Sequence, residues 1–398
     1  VGNTKNRPEK EIYDQYWKMT AGLTDIYTKE FSDCLKIIVD YIDVNKKAIK
    51  KWNKKKGMIG SKSYFRGSDL YDNLVEKIIS YMNYTSKSAD TSARKVINQY
   101  VKIGFIYPFL SGYNKLVLQF LQAITHQEKK VLFSKMFYEG ASFSSATTVD
   151  NRSFGEVQFL LRTMEFNRYL TKEDIKALMG TDISSIERGY LERDELSAKY
   201  EELLTTGFVA RKKIQFGHMT SYLKHFVDFK YLSKKKVFTF ENDDEIQRIL
   251  DDESIPETYK RDAVKHRIYK EELKLESEKI YGRQICYVEK LAYTVLIASH
   301  IKECARCLKE KRENQAYDVD NGLLLSPNID SYFDKHDISF DEEGKILFGK
   351  RVDVEIKKNY SGFALDEKVL TEKRKKYLVV HRAIFDEKQS IPCKGRKD

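Results

Sequence analysis

Three side chains stand in an order and at a spacing that can do hydrolytic chemistry: His300, Asn321 and Asp330. His300 ends the apolar run Tyr293–His300, Asn321 opens the run Asn321–Leu325, and Asp330 lies a turn beyond Ser326-Pro327. An imidazole is basic and largely neutral near pH 7, so it can take a proton from water. A carboxylate offers hard oxygen donors, which suit Mg²⁺ or Mn²⁺. Taken singly, each has a plainer reading: a structural histidine, an Asn-Gly turn, a carboxylate on a helix surface. Together, in this order, they favour chemistry.

These positions need a frame. Short β-branched or aromatic runs at 283–288 and 293–300 predict two strands, and Leu323–Leu325 predicts another. Ser326-Pro327 can start a helix, with proline at its first position, and that helix carries Asp330, Phe333 and Asp334. Residues 337–348 predict a hairpin with a Glu-Gly turn at Glu343-Gly344. Before all of this, residues 258–281 predict one long helix rich in Lys, Arg and Glu.

The arrangement resembles the HNH family of endonucleases, whose core is the ββα-metal finger. The resemblance is clearest from about 283 to 348, and strongest at Ala298-Ser-His-Ile-Lys302 and Asn321-Gly-Leu-Leu-Leu-Ser-Pro-Asn-Ile-Asp-Ser-Tyr-Phe-Asp334. These segments look like the HNH domains of bacterial type II restriction enzymes. The resemblance implies a DNA endonuclease in which His300 is the general base and the amide of Asn321 holds that base. It also implies a divalent ion, Mg²⁺ first and Mn²⁺ as the alternative, stabilising charge on the phosphate and the leaving 3′ oxygen. Asp330 occupies the place of the family's third-motif histidine, as a metal ligand. Ser299 occupies the place of an Asp or His ligand, and needs a bridging water to serve. Asp334 falls where another histidine is common, and a structural or metal-side role suits a carboxylate there. Cys304-Ala-Arg-Cys307 has the form of half a zinc site, with Cys286 as a third candidate. A second CxxC is missing near the motif and Cys393 is remote, so structural zinc is not expected.

The rest of the chain suits a nucleic-acid partner. A length of 398 residues predicts two to three domains. The net charge of +11 points to a polyanion. No apolar run reaches the roughly 20 residues that span a bilayer. The stretch Val1–Trp17 has no apolar signal core, and five scattered cysteines fit reduced thiols, so a soluble cytoplasmic protein is expected.

The expected fold class is α+β. Residues 1–150 read as a helical, winged-helix-like recognition region, 151–255 as a second such region, and 256–398 as the nuclease domain. In the first, a helix from Thr91 or Ser92 to Gly104, followed by a strand at 105–107, would turn Arg94, Lys95, Asn98 and Gln99 toward DNA. In the second, Thr171 and Asp174 form a capping box, Arg211, Lys212 and Lys213 precede a helix, and a hairpin at 231–240 carries Lys234, Lys235 and Lys236 at its tip. The lysine-rich stretch around Trp52, Lys46–Lys56, and the basic run Lys373–Lys376 are further candidate phosphate contacts. The acidic run 241–257 reads as a solvated linker. His126, His218, His225, His266 and His381 have no partner at a motif spacing and read as structural or surface, and His336 as a turn residue.

The function expected is sequence-specific cleavage of double-stranded DNA, with a homodimer on DNA and cutting at a distance as in type IIS enzymes. Two alternatives stay open: a nuclease that requires a modified base, and a winged-helix DNA-binding protein with a decayed nuclease module.

Overall fold

The computed structural model describes residues 17–56, 68–150, 152, 155–241, 245–247 and 262–390. Gly57, Gly60, Cys393 and the tail lysines lie outside these. The chain divides into two compact units, 1–241 and 242–398. The cut falls at the start of the acidic run rather than at its end, and the expected division near 150 lies inside the first unit.

The first unit is built on helices whose apolar residues recur every three to four positions. They are α1 Lys29–Val44, α2 Lys46–Lys56, α3 Asp69–Met82, α4 Ala89–Lys102, α5 Val117–Gln122 and α6 His126–Gly140. Then follow α7 Glu156–Asn167, α8 Lys172–Met179, α9 Arg193–Thr205, α10 Phe208–Arg211 and α11 Lys213–Leu223. Val157, Leu160, Leu161 and Met164 of α7 are all buried, as their spacing predicts. The Thr171–Asp174 capping box of α8 is present. A small sheet joins β1 Leu170–Thr171, β2 Phe229–Leu232 and β3 Val237–Phe240 in the order β1-β3-β2, all antiparallel.

Helix α4 departs from its sequence reading. It starts at Ala89 with no side-chain cap bond from Ser88, ahead of Thr91 and Ser92. No strand forms at 105–107, where Ile106 makes only an isolated bridge to Tyr113. Gly104 has φ +81, and a Cβ there would lie 2.5 Å from the carbonyl carbon of Gly140. It is therefore a close-packing point as well as a helix stop. The supposed outer face is also largely engaged. Gln99 is fully buried, and its Oε1 accepts from the backbone N–H of Gly22 at 2.7 Å and of Leu23 at 2.8 Å. Asn98 Oδ1 accepts from the Thr147 N–H at 2.8 Å. Arg94 pairs with Asp72 and Asp90 and lies over the ring of Tyr71. Arg94, Asn98 and Gln99 thus make contacts within the unit, and only Lys95 of the four is exposed.

The second unit centres on α12, Ala263–Tyr281, whose buried stripe includes His266, Tyr269, Lys270, Leu273 and Ser277. It packs on a two-stranded antiparallel ribbon, β4 Ile297–His300 with β5 Gly322–Leu325. Between the strands lie α13 Cys304–Lys309 and α14 Glu313–Ala316. After them come α15 Pro327–Asp334, the hairpin β6 Ile338–Phe340 with β7 Ile346–Phe348, α16 Val354–Tyr360 and α17 Glu372–Ser390. Ser326 caps α15 through its Oγ, and Gly344 makes the hairpin turn at φ +83. The run 283–288 forms no strand. Cys286, Tyr287 and Val288 are buried in a turn, tied to the ribbon by the Tyr287 N–H donating to the Leu324 carbonyl at 2.8 Å. Apolar composition there reflects burial, not extension. Arg374 departs from expectation too: it is fully buried against Glu276 and the Val369 and Val319 carbonyls, so it is not a phosphate contact.

A buried stack ties α15 to α17. The His381 ring lies 4.0 Å from Phe333 and 4.3 Å from His336, and its nitrogens meet Ser339 Oγ and the Phe333 carbonyl. Burial pushes His381 down to about 3, with His336 adding to the effect, and burial lowers His336 as well. Both rings are therefore neutral in the folded unit at neutral pH, while an unfolded imidazole gains a proton below about 6.5. The His381 contribution to stability is full above about pH 6.5 and drains away as pH falls toward about 3, and His336 acts in the same direction. Thermal melts between pH 7.5 and 4.5 should show this loss, and His381→Phe should flatten it.

Candidate active site

The antiparallel register places His300 opposite Gly322 and Ser299 opposite Leu323. Strand alternation turns neighbouring side chains to opposite faces. His300 faces α12, where its ring stacks on Tyr269 with centroids 4.7 Å apart and planes 19° from parallel. Its Nε2 lies 2.8 Å from the carbonyl oxygen of Ala316. A carbonyl only accepts, so Nε2 carries the proton. In the neutral ring Nδ1 then carries the lone pair and is the basic nitrogen, and it lies buried.

The Asn321 amide is fully buried and makes three hydrogen bonds to backbone. Oδ1 accepts from the Lys302 N–H at 2.7 Å, and Nδ2 donates to the carbonyls of Lys302 and Gln315, both at 2.9 Å. The chain between β4 and β5 is thereby clamped at both ends, and Ala316, whose carbonyl holds His300, is the next residue after Gln315. The Asn321 amide therefore anchors the backbone on both sides of the segment that meets His300. Gly322 is required for a different reason. A Cβ there would sit 2.1 Å from Tyr269 Oη and 2.9 Å from Leu273, so only glycine lets α12 approach the strand. Tyr269 Oη uses that proximity to donate to the Asn321 carbonyl at 3.1 Å.

Asp330 is half-buried in the first turn of α15, which packs on β4 and β5. Ser299 is buried, on the strand face away from His300. Asp334 is exposed. Among the described residues, no three His, Cys, Asp or Glu side chains gather as a metal site. Cys304 and Cys307 are fully buried in a small cluster with Ala316, and burial pushes the Cys307 thiol up. Such thiols are poor nucleophiles and poor ligands as they stand.

The basic candidates of the first unit separate clearly. Lys95, Arg211, Lys213, Lys234, Lys235 and Lys236 are exposed, and Lys212 is half-buried with its ammonium 5.5 Å from the Phe208 ring centroid.

Sequence reasoning passed over His266, beside His300, and its partner Glu245. His266 stacks on His300 with centroids 5.7 Å apart, and Glu245, from the supposed linker, lies 2.7 Å from His266 Nε2. The signal was present but faint: His266 belongs to the buried stripe of α12, three residues before Tyr269.

No helix among the described residues is long and apolar enough to cross a membrane. No curated protein matches the chain. A family model described as HNH endonuclease matches residues 283–341. That span contains the β4–β5 ribbon, His300, Asn321 and the helix of Asp330, so the second unit carries an HNH endonuclease domain.

Proposed function

We propose that the chain is a sequence-specific, metal-dependent endonuclease of double-stranded DNA, of the type II restriction kind. The observation that carries the reading is the Nε2–H of His300 held by the Ala316 carbonyl inside the matched HNH segment. This presents Nδ1 as a base of fixed direction. A nuclease domain implies DNA as substrate, and HNH nucleases generally use a divalent metal. The donors here suit Mg²⁺. It is commonly held by one or two carboxylates, with substrate phosphate and water completing its shell. Asp330 would be the carboxylate, and Ser299 could join only through water. When bound, the ion would supply charge stabilisation at the phosphate. His300 takes the proton of the attacking water, Asn321 and Ala316 hold the ring, and the buried wall of α12 keeps bulk water from its face.

The first unit would recognise the DNA. The order α7, β1, helices, then the β2–β3 hairpin, with β1 paired to β3, supports a winged-helix reading of 156–240. Its wing tip is the exposed Lys234–Lys236. A second reading, a nuclease that requires a modified base, is favoured by one feature. A pocket of about 550 Å³ in the first unit is lined by Tyr107, Asn114, Glu139, Asp150 and Arg152. It combines an aromatic face with hydrogen-bonding groups, which a flipped base needs.

The full chain incubated with Mg²⁺ should convert plasmid into discrete fragments. Methylated and unmethylated plasmids separate the two readings, and complete inactivity with Mg²⁺ and Mn²⁺ on both would sink the nuclease assignment. Binding should also weaken with salt, the slope of log affinity against log salt being negative with a magnitude of about 0.9 per neutralised phosphate. Replacing Lys234, Lys235 and Lys236 with alanine should reduce the magnitude of that slope by about two to three units. An unchanged slope in a gel-shift series would remove the wing tip from the interface.

A further inference from the structure

The catalytic imidazole has a second support that reaches it from the acidic run. Glu245 lies in a short helical turn at 245–247, next to the buried Ile246. Its Oε1 is 2.7 Å from His266 Nε2, and its Oε2 is 2.9 Å from Lys270 Nζ. Burial alone would push the Glu245 carboxyl up, but His266 and Lys270 outweigh it and hold the group ionised. An ionised carboxylate only accepts, so His266 donates from Nε2 and its tautomer and plane are set. His266 is fully buried, and its ring lies 24° from parallel with that of His300. Tyr269, one turn further along α12, covers His300 at 4.7 Å.

We infer that Glu245 and His266 form a clasp that positions the His300 imidazole for proton abstraction. They are positioning residues: neither touches the reacting atoms. The Ala316 carbonyl fixes His300 at one nitrogen, which leaves rotation about that bond. The flat faces of Tyr269 and His266 remove that freedom, and Glu245 with Lys270 keeps the His266 ring from turning. The carboxylate comes from outside the HNH match at 283–341, from the segment where the second unit begins. A nuclease fragment starting at 256 would lack it.

The inference rests on the nuclease reading, and its test separates the two. Glu245→Ala in the full chain should lower the single-turnover cleavage rate about 10- to 100-fold, the scale of a small misplacement of a reacting group. DNA affinity, measured by gel shift, should not change. Glu245→Gln should recover most of the rate, because its amide oxygen still accepts from His266. Should Glu245→Ala fail to fold, His266→Phe keeps a flat ring against His300 but cuts the tether, and should lose rate with affinity unchanged. In parallel, ¹⁵N-histidine NMR of the full chain should show one Nε2-protonated form of His300, replaced in Glu245→Ala by a shifted or averaged signal. Wild-type rates together with an unshifted His300 signal in Glu245→Ala would overturn the clasp. A wild-type chain that cuts nothing would overturn the nuclease reading instead, and the NMR comparison would still decide the clasp.

Discussion

His300→Ala should cut DNA about 10²–10⁴-fold more slowly than the wild-type chain, the usual worth of a positioned acid–base group. Affinity for the DNA should change little. The imidazole is only 9 % exposed and would act on the reacting water through a single nitrogen, while the candidate phosphate contacts lie on other elements. The wild-type rate should climb as the imidazolium gives up its proton and level off once the ring is neutral, because only the neutral form can accept. The alanine variant should lose that rise. His300→Gln is a sharper control. Its amide can still donate to the Ala316 carbonyl but has no basic nitrogen, so it should be as slow as alanine. Cleavage at near wild-type speed by either variant would mean that another group activates the water.

The elements around the candidate site were legible in the sequence wherever they leave local marks. His300, Asn321, Ser326-Pro327 and Asp330 lie where the strands and the helix require them, because a strand end, a strand start and a capped helix leave local marks. What was not readable depends on contacts distant in sequence. Gln99 reads as an outward polar residue of an amphipathic helix, yet the backbone of Gly22 and Leu23 claims it. Arg374 reads as part of a basic run, yet Glu276, nearly a hundred positions earlier, draws it into the core. Glu245 reads as one carboxylate among many in an acidic stretch. Only the fold shows that two partners on α12 single it out. In each case the polar group is buried because a specific partner offsets its desolvation, and such pairings leave no periodic trace.

Asn321→Ala should damage both stability and rate. The substitution leaves the Lys302 N–H and the carbonyls of Lys302 and Gln315 without their amide partner at a fully buried position. Each orphaned backbone group costs about 1–3 kcal/mol, so the melting temperature of the second unit should fall clearly. Asn321→Asp should be no better. One carboxylate oxygen can still accept from Lys302, but the other would face two carbonyls that need a donor. The rate should fall because the 302–316 segment, released at both ends, no longer holds the Ala316 carbonyl against His300. If Asn321 acts only through the base, the two substitutions will not multiply. His300→Ala combined with Asn321→Ala should cut no more slowly than His300→Ala alone, as groups that work as a unit do. A double variant slower by the product of the two single losses would show that Asn321 has a separate task, such as contact with the phosphate or its metal.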